Sequence, residues 1–114
     1  MVFSGHIHAY LRTRPVVNGT VDETGPMHVT VGAGGRDCAA PFYQEEPEPW
    51  VQVRDATIYG YGFFRVFNRT HAQWDWVHTG QADDHDANQL RRSNETLPSG
   101  PALDREILVN QYYR

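Results

Sequence analysis

Val2-Phe3-Ser4-Gly5-His6-Ile7-His8-Ala9-Tyr10 joins a short apolar run to a glycine and then to two histidines one residue apart. On an extended backbone alternate side chains share a face, so the spacing predicts that His6 and His8 point the same way, roughly 6.6 Å apart along the strand. Two imidazoles so placed can approach one metal ion, or one each of two ions roughly 3.5–4 Å apart. Gly5 carries no side chain and tolerates positive φ, so a sharp turn is expected just before the pair. Two ordinary packed histidines at a strand end are the competing reading of this pattern alone.

Further stretches extend it. Ser4 to Arg12 resembles the last metal-binding motif of the purple acid phosphatases, a G-H-x-H-A-Y-E-R run, within the calcineurin-like metallophosphoesterases. Pro15-Val16-Val17-Asn18 is similar to the P-V-Y-N that follows in that family, and Gly25 to Gly35 to its G-P-V-Y-I-T-I-G-D-G-G. Tyr61 to Trp76 resembles its closing hairpin, a Y-G-F-G strand, an N-x-T-H turn and a tryptophan-bearing return strand. Leu11 stands where the family has Glu, Ala33 where it has an acid and Arg36 where it has Asn; none of the three is a ligand in the family.

The resemblance implies an acid phosphatase that hydrolyses phosphate monoesters. Its centre would be binuclear, Fe(III) with Zn(II), Mn(II) or Fe(II). His6 would bind the divalent ion and His8 the ferric ion. Both rings must be neutral to bind, so metal affinity is expected to fall as pH drops through their titration. The family's proton-donating histidines lie upstream, so no catalytic residue is assigned within this chain. The fold implied is α+β, here a β-rich fragment: the C-terminal portion of a two-sheet αββα sandwich, mainly strands and long loops. The oligomeric state of the full enzyme is left open by the sequence, a homodimer being one option.

In the family the G-H-x-H motif comes late; here it begins at Gly5. A binuclear site takes more protein ligands than two, and the chain contains no D-x-H, G-D-x-x-Y or G-N-H-[ED] motif. Residues 1–114 are therefore expected to be the C-terminal part of one metallophosphoesterase domain whose N-terminal part is missing, and to be inactive alone. Two other functions compete. A mononuclear cupin-like site needs an acid soon after the H-x-H, and residues 9–16 hold none. A non-catalytic β-rich binding module would use the aromatic hairpin as its face.

Composition bounds the rest. The chain has 114 residues, 39% of them apolar, and a net charge of −4. Its mean hydropathy is −0.62. One domain at most is expected, with no basic surface for nucleic acid and no apolar run long enough for a transmembrane helix. Met1 is followed at once by Val2-Phe3, without a basic and apolar leader. Cys38, the single cysteine, has no internal partner. Three of the five asparagines, Asn18, Asn68 and Asn94, lie in N-x-[ST] sequons. Chance gives roughly one in eight, so a glycosylated chain is expected. The resemblance adds a secreted, vacuolar or lysosomal setting.

Along the chain, Val2–Ser4 reads as a buried strand and Thr13 to Thr24 as a loop or short hairpin. His28 to Val31 reads as a strand ending on Gly32-Ala33-Gly34-Gly35. That glycine run lacks a following Lys-Ser/Thr, so a tight turn near the site is preferred over a phosphate cradle. Arg36 to Arg54, with three prolines, reads as a long irregular loop. Residues 58–79 read as the closing β-hairpin, with Ala72, Trp74 and Trp76 on one face and Gln73 and Asp75 on the other. Residues 80–114 read as a polar loop, with an acidic cluster at Asp83, Asp84 and Asp86, followed by an extended tail. His28 is a marginal candidate for the site; His71 matches a hairpin position that is not a ligand in the family.

Overall fold

The structure is a computed structural model that describes residues 1–36, 42, 44–81 and 104–110, the side chains of residues 80 and 81 excepted. Among the described residues there are nine strands and no helix. None, therefore, is a helix long and apolar enough to cross a membrane.

Two sheets carry the architecture. The first has the order β1-β5-β2-β6, with β1 at Val2–Ser4, β2 at Tyr10–Thr13, β5 at His28–Val31 and β6 at Val51–Asp55. β1 runs parallel to β5, pairing Val2 with His28 and Ser4 with Thr30. β2 runs antiparallel to both β5 and β6. The second sheet has the order β7-β8-β9, all antiparallel, from β7 at Ile58–Val66, β8 at His71–Gln81 and β9 at Asp104–Val109. A small hairpin, β3 at Val16–Val17 and β4 at Thr20–Val21, stands apart. Its two-residue turn is Asn18-Gly19, with φ of 48° and 75°. Positive φ at both central residues suits the right-handed twist of a tight hairpin, and Asn-Gly adopts it at low cost.

The sheets meet through aromatic rings. The Tyr10 ring lies flat on Trp76, centroids 4.3 Å apart and 6° from parallel, and Phe3 leans on Trp74 at 5.1 Å. Tyr10, Val29, Ala33, Trp74 and Trp76 form the buried cluster. Gly60 and Gly62 let the two indoles lie flat across β7: a β-carbon on Gly62 would sit 2.5 Å from Trp74 Cζ3, and one on Gly60 2.6 Å from Trp76 Cζ2. The backbone joins the layers as well, with Gly60 N–H donating to the Ala33 carbonyl at 2.9 Å.

Several expectations change. Val2–Ser4 is a strand but not a buried one; Val2 and Phe3 are nearly half exposed because β1 is an edge strand. The irregular loop ends by Trp50: Val51–Asp55 is a strand on β2, its alternating valines outweighing the prolines before it. Within the tail, Asp104–Val109 is the third strand of the hairpin sheet, paired along β8 from His71 to Trp76. Asp75 lies on the face opposite the tryptophans as expected, yet is buried beneath Arg65 and Arg105, which bond it at 3.0 and 2.7 Å. Cys38, Asn94, His85 and the acidic cluster lie outside the described residues.

Candidate metal loop

Residues 5–9 are not a strand. They leave the C-terminal end of β1 and must reach β2, which lies on the far side of β5. The loop therefore arches over the end of β5, and two successive three-residue turns make the arch. Ile7 N–H donates to the Gly5 carbonyl at 2.9 Å, closing a turn centred on His6. Ala9 N–H donates to the Ile7 carbonyl at 2.8 Å, closing another centred on His8. His6 has φ of 73°, the value of the rarer γ-turn, while His8 is not in the positive region. A left-handed side-chain-bearing residue costs of order 1–3 kcal/mol and marks a position the surroundings over-determine.

This corrects the strand-based expectation in two ways. The left-handed residue is His6 itself, not Gly5. The histidines are set by consecutive turns, so the period of two along a strand does not describe their directions. Each ring instead projects from the apex of its own turn. His6 and Ile7 are exposed and His8 is half-buried.

Gly32 is the floor of the arch. Its N–H donates to the Ala9 carbonyl at 3.0 Å. A β-carbon there would lie 2.6 Å from the Ile7 carbonyl carbon, closer still to its oxygen, and 3.3 Å from the His8 nitrogen. The glycine run after β5 thus serves the histidine loop directly. His28 sits at the opposite end of β5, where its N–H donates to the Thr13 hydroxyl at 2.9 Å, so it does not join the loop. His71 is exposed in the hairpin, bonded through Nδ1 to the Thr70 hydroxyl at 2.7 Å. His78 is exposed on β8.

The exit of the loop is held by groups the sequence reading did not single out. Tyr10 Oη donates to Asp104 Oδ2 at 2.6 Å and accepts from Trp74 Nε1 at 2.9 Å. Arg12 clasps Asp104 through Nε and Nη2 at 2.7 and 2.8 Å, and reaches Glu106 through Nη1 at 2.8 Å. Burial pushes the Tyr10 hydroxyl up, and the bond to Asp104 adds to it. For Asp104, burial works upward, but the bonds from Arg12 and Tyr10 and the Arg12 charge hold the carboxyl below its ordinary value. The signal available in sequence was the alternation Asp104, Glu106, Leu108 on one face of a strand.

Of the sequon asparagines, Asn18 is exposed at the tip of the β3–β4 turn. Asn68 Oδ1 accepts from the Thr70 N–H and hydroxyl, both at 2.8 Å, and from His71 N–H at 2.9 Å, building the β7–β8 turn.

Two imidazoles on one short arch are donors suited to divalent or ferric ions. Among the described residues no group of three His, Cys, Asp or Glu gathers to hold a metal. Two imidazoles are fewer donors than a metal site takes, so the arch fits a metal only as part of a larger donor set.

The G-H-x-H loop, which joins β1 to β2 within the first sheet, and the β7-β8-β9 sheet packed against it are consistent with the C-terminal part of a metallophosphoesterase. A family model described as iron/zinc purple acid phosphatase-like protein C matches residues 25–87, more than half of the chain. The chain belongs to the purple acid phosphatase family. It is 44% identical over 77 residues to purple acid phosphatase 18 of Arabidopsis thaliana, covering 67% of this chain and 17% of that protein. It is 34% identical over 110 residues to purple acid phosphatase 22 of the same plant, covering 91% of this chain and 25% of the other. The Fe(3+)-Zn(2+) purple acid phosphatase 12 of Arabidopsis thaliana is 33% identical over 87 residues, 67% of this chain and 19% of that protein. A solved purple acid phosphatase, PPD1 from yellow lupin (Lupinus luteus) seeds, superposes with a TM-score of 0.69 at 19% identity, covering 97% of this chain and 18% of that one. The fold is thus shared with a purple acid phosphatase, and the chain spans about a quarter or less of the length of these relatives.

Proposed function

We propose that this chain is the C-terminal part of a binuclear metallohydrolase that cleaves phosphate monoesters, and that His6 and His8 are two of its metal ligands. The observation that carries the reading is the pair of consecutive turns, one centred on each histidine, within a purple acid phosphatase chain. His6 would take the divalent ion and His8 the ferric ion. Support for an iron–zinc pair comes from a relative named as an Fe(3+)-Zn(2+) enzyme.

Metals held there would polarise a phosphoryl group and lower the pKa of a bound water so that it can act as the nucleophile. The chain's own residues do the positioning. His6, which is exposed, and His8, which is half-buried, would each offer one imidazole to a metal ion. The two backbone bonds of 2.9 and 2.8 Å hold the turns from which the two rings project. The remaining ligands and the proton donors belong to the upstream part of the domain, so the isolated chain is inactive. A secreted or vacuolar location and a glycan on Asn18 belong to the same reading.

The test uses the full-length protein. Metal content and aryl phosphate turnover are measured for His6→Ala, His8→Ala and His71→Ala. The first two lose metal and orders of magnitude of rate; His71→Ala keeps both. Retention of two metals and near-normal rates by His6→Ala and His8→Ala overturns the assignment.

A further inference from the structure

The arch has two supports of unequal quality. At its entry, β1 is an exposed edge strand tied to β5 by three residue pairs and a Ser4–Thr30 hydroxyl contact of 3.1 Å. At its exit, Tyr10 is 1% exposed and Arg12 4% exposed. Residues two apart on a strand share a face, so Tyr10 and Arg12 both meet the second sheet. There they converge on one carboxylate, Asp104, at the start of β9 and more than ninety residues along the chain.

We infer that Asp104 is a positioning residue for the histidine arch: by bonding Tyr10 and Arg12 together it sets where β2 begins, and so where His6 and His8 stand. Buried ion pairs contribute little net stability compared with apolar packing, and their best-attested use is to fix register. β2 is held in register by β5 through Tyr10, Leu11 and Arg12, but its ladder with β6 carries a bulge between Arg12 and Thr13, and the Asp104 clasp on Arg12 lies at that break. A slide of β2 would carry Ala9 off the Gly32 N–H and unseat the arch from its floor. The statement that the arch holds metal rests on the function proposed above; the statement that Asp104 seats the arch does not.

A matched control is built into the molecule. Asp75 is also a carboxylate held by arginine, but its partners are Arg65, Gln73 and Arg105, all in the second sheet. Amide hydrogen exchange on the full-length protein separates the two roles. In Asp104→Asn the amides of Gly32 and Ala9 exchange at least about tenfold faster relative to the β7–β8 ladder amides; in Asp75→Asn they do not. If Asp104→Asn fails to fold, Tyr10→Phe, which keeps the ring stack and removes only the hydroxyl, shows the same local loosening at smaller size. Exchange that rises evenly through both sheets, or stays unchanged at Gly32 and Ala9, overturns the inference. In the full-length metal-loaded protein, release to a chelator is about tenfold faster in Asp104→Asn and unchanged in Asp75→Asn. Equal release rates for the two overturn the positioning role. Metal retained by His6→Ala and His8→Ala overturns the ligand assignment instead, and leaves the exchange result standing.

Discussion

Replacing Gly32 by alanine asks whether the histidine arch rests on the turn after β5. The added methyl would fall 2.6 Å from the Ile7 carbonyl carbon, whereas ordinary contact begins at 3.4 Å. The carbonyl must therefore retreat by about 0.8 Å or more, since its oxygen is closer still. The obstacle is backbone, so no rotamer change relieves it. Ile7 sits between the histidines and its carbonyl closes the His8 turn, so the displacement passes to both rings. Overpacking of this kind costs about 1–3 kcal/mol of stability. Sites built to tolerances of about 0.5 Å lose roughly a hundredfold in function from a shift of about 1 Å. The expected result for the full-length protein is loss of metal and of about two orders of magnitude in turnover, with a folded chain by circular dichroism. Gly34→Ala is the control, because a β-carbon there meets nothing within 4 Å. Normal metal content and rate in Gly32→Ala, or equal damage in Gly34→Ala, would refute the reasoning.

Asp104→Asn should cost about 3 kcal/mol at neutral pH, at the low end for a broken buried pair because Glu106 still faces Arg12. Since the folded-state Asp104 carboxyl lies below its ordinary value, its contribution is present above about pH 4 and is lost as pH falls through the folded value. Urea midpoints of the two proteins should converge in that acidic range; a constant gap down to about pH 2 would contradict the assignment. Gly62→Ala should push the Trp74 indole off β7, cost about 1–3 kcal/mol and weaken the near-ultraviolet dichroism of the tryptophans. Expressed through a eukaryotic secretory route, the chain should carry a glycan on Asn18; mass spectrometry before and after glycosidase treatment decides, and an unmodified Asn18 removes this support for secretion. The 114-residue chain alone should not hydrolyse an aryl phosphate above the rate of added iron, zinc or manganese; turnover abolished by His6→Ala would show it complete.

The hairpin and the tryptophan face were legible because they rest on local pattern. Trp74 and Trp76 alternate with polar residues, and a period of two reports burial whatever the rest of the chain does. The conformation of the arch was not legible. A period of two assumes that the strand continues through His6 and His8, and nothing nearby in sequence says that β5 will lie between β1 and β2. Once it does, the chain must climb over β5, and positive φ at His6 with two tight turns follows from the short span. The same limit hid β6 and β9. Prolines before Trp50 masked the valine alternation of Val51–Asp55. Asp104, Arg105 and Glu106 look like solvated surface until Arg12 and Asp75 are placed against them.

Charge in this chain marks burial where hydropathy denies it. Arg12, Asp75 and Asp104 are each among the least exposed side chains, and every one is paired. No buried side-chain nitrogen or oxygen among the described residues lacks a partner. The pairs fall on opposite faces of the second sheet: Asp75 knits β7, β8 and β9 to one another on the outer face, while Asp104 and Glu106 bind β9 to β2 across the core. The first arrangement stiffens a sheet. The second ties the end of the chain to the strand that leaves the histidine arch, which is why changes at Asp104 and at Asp75, alike in chemistry, should differ in what they do to the arch.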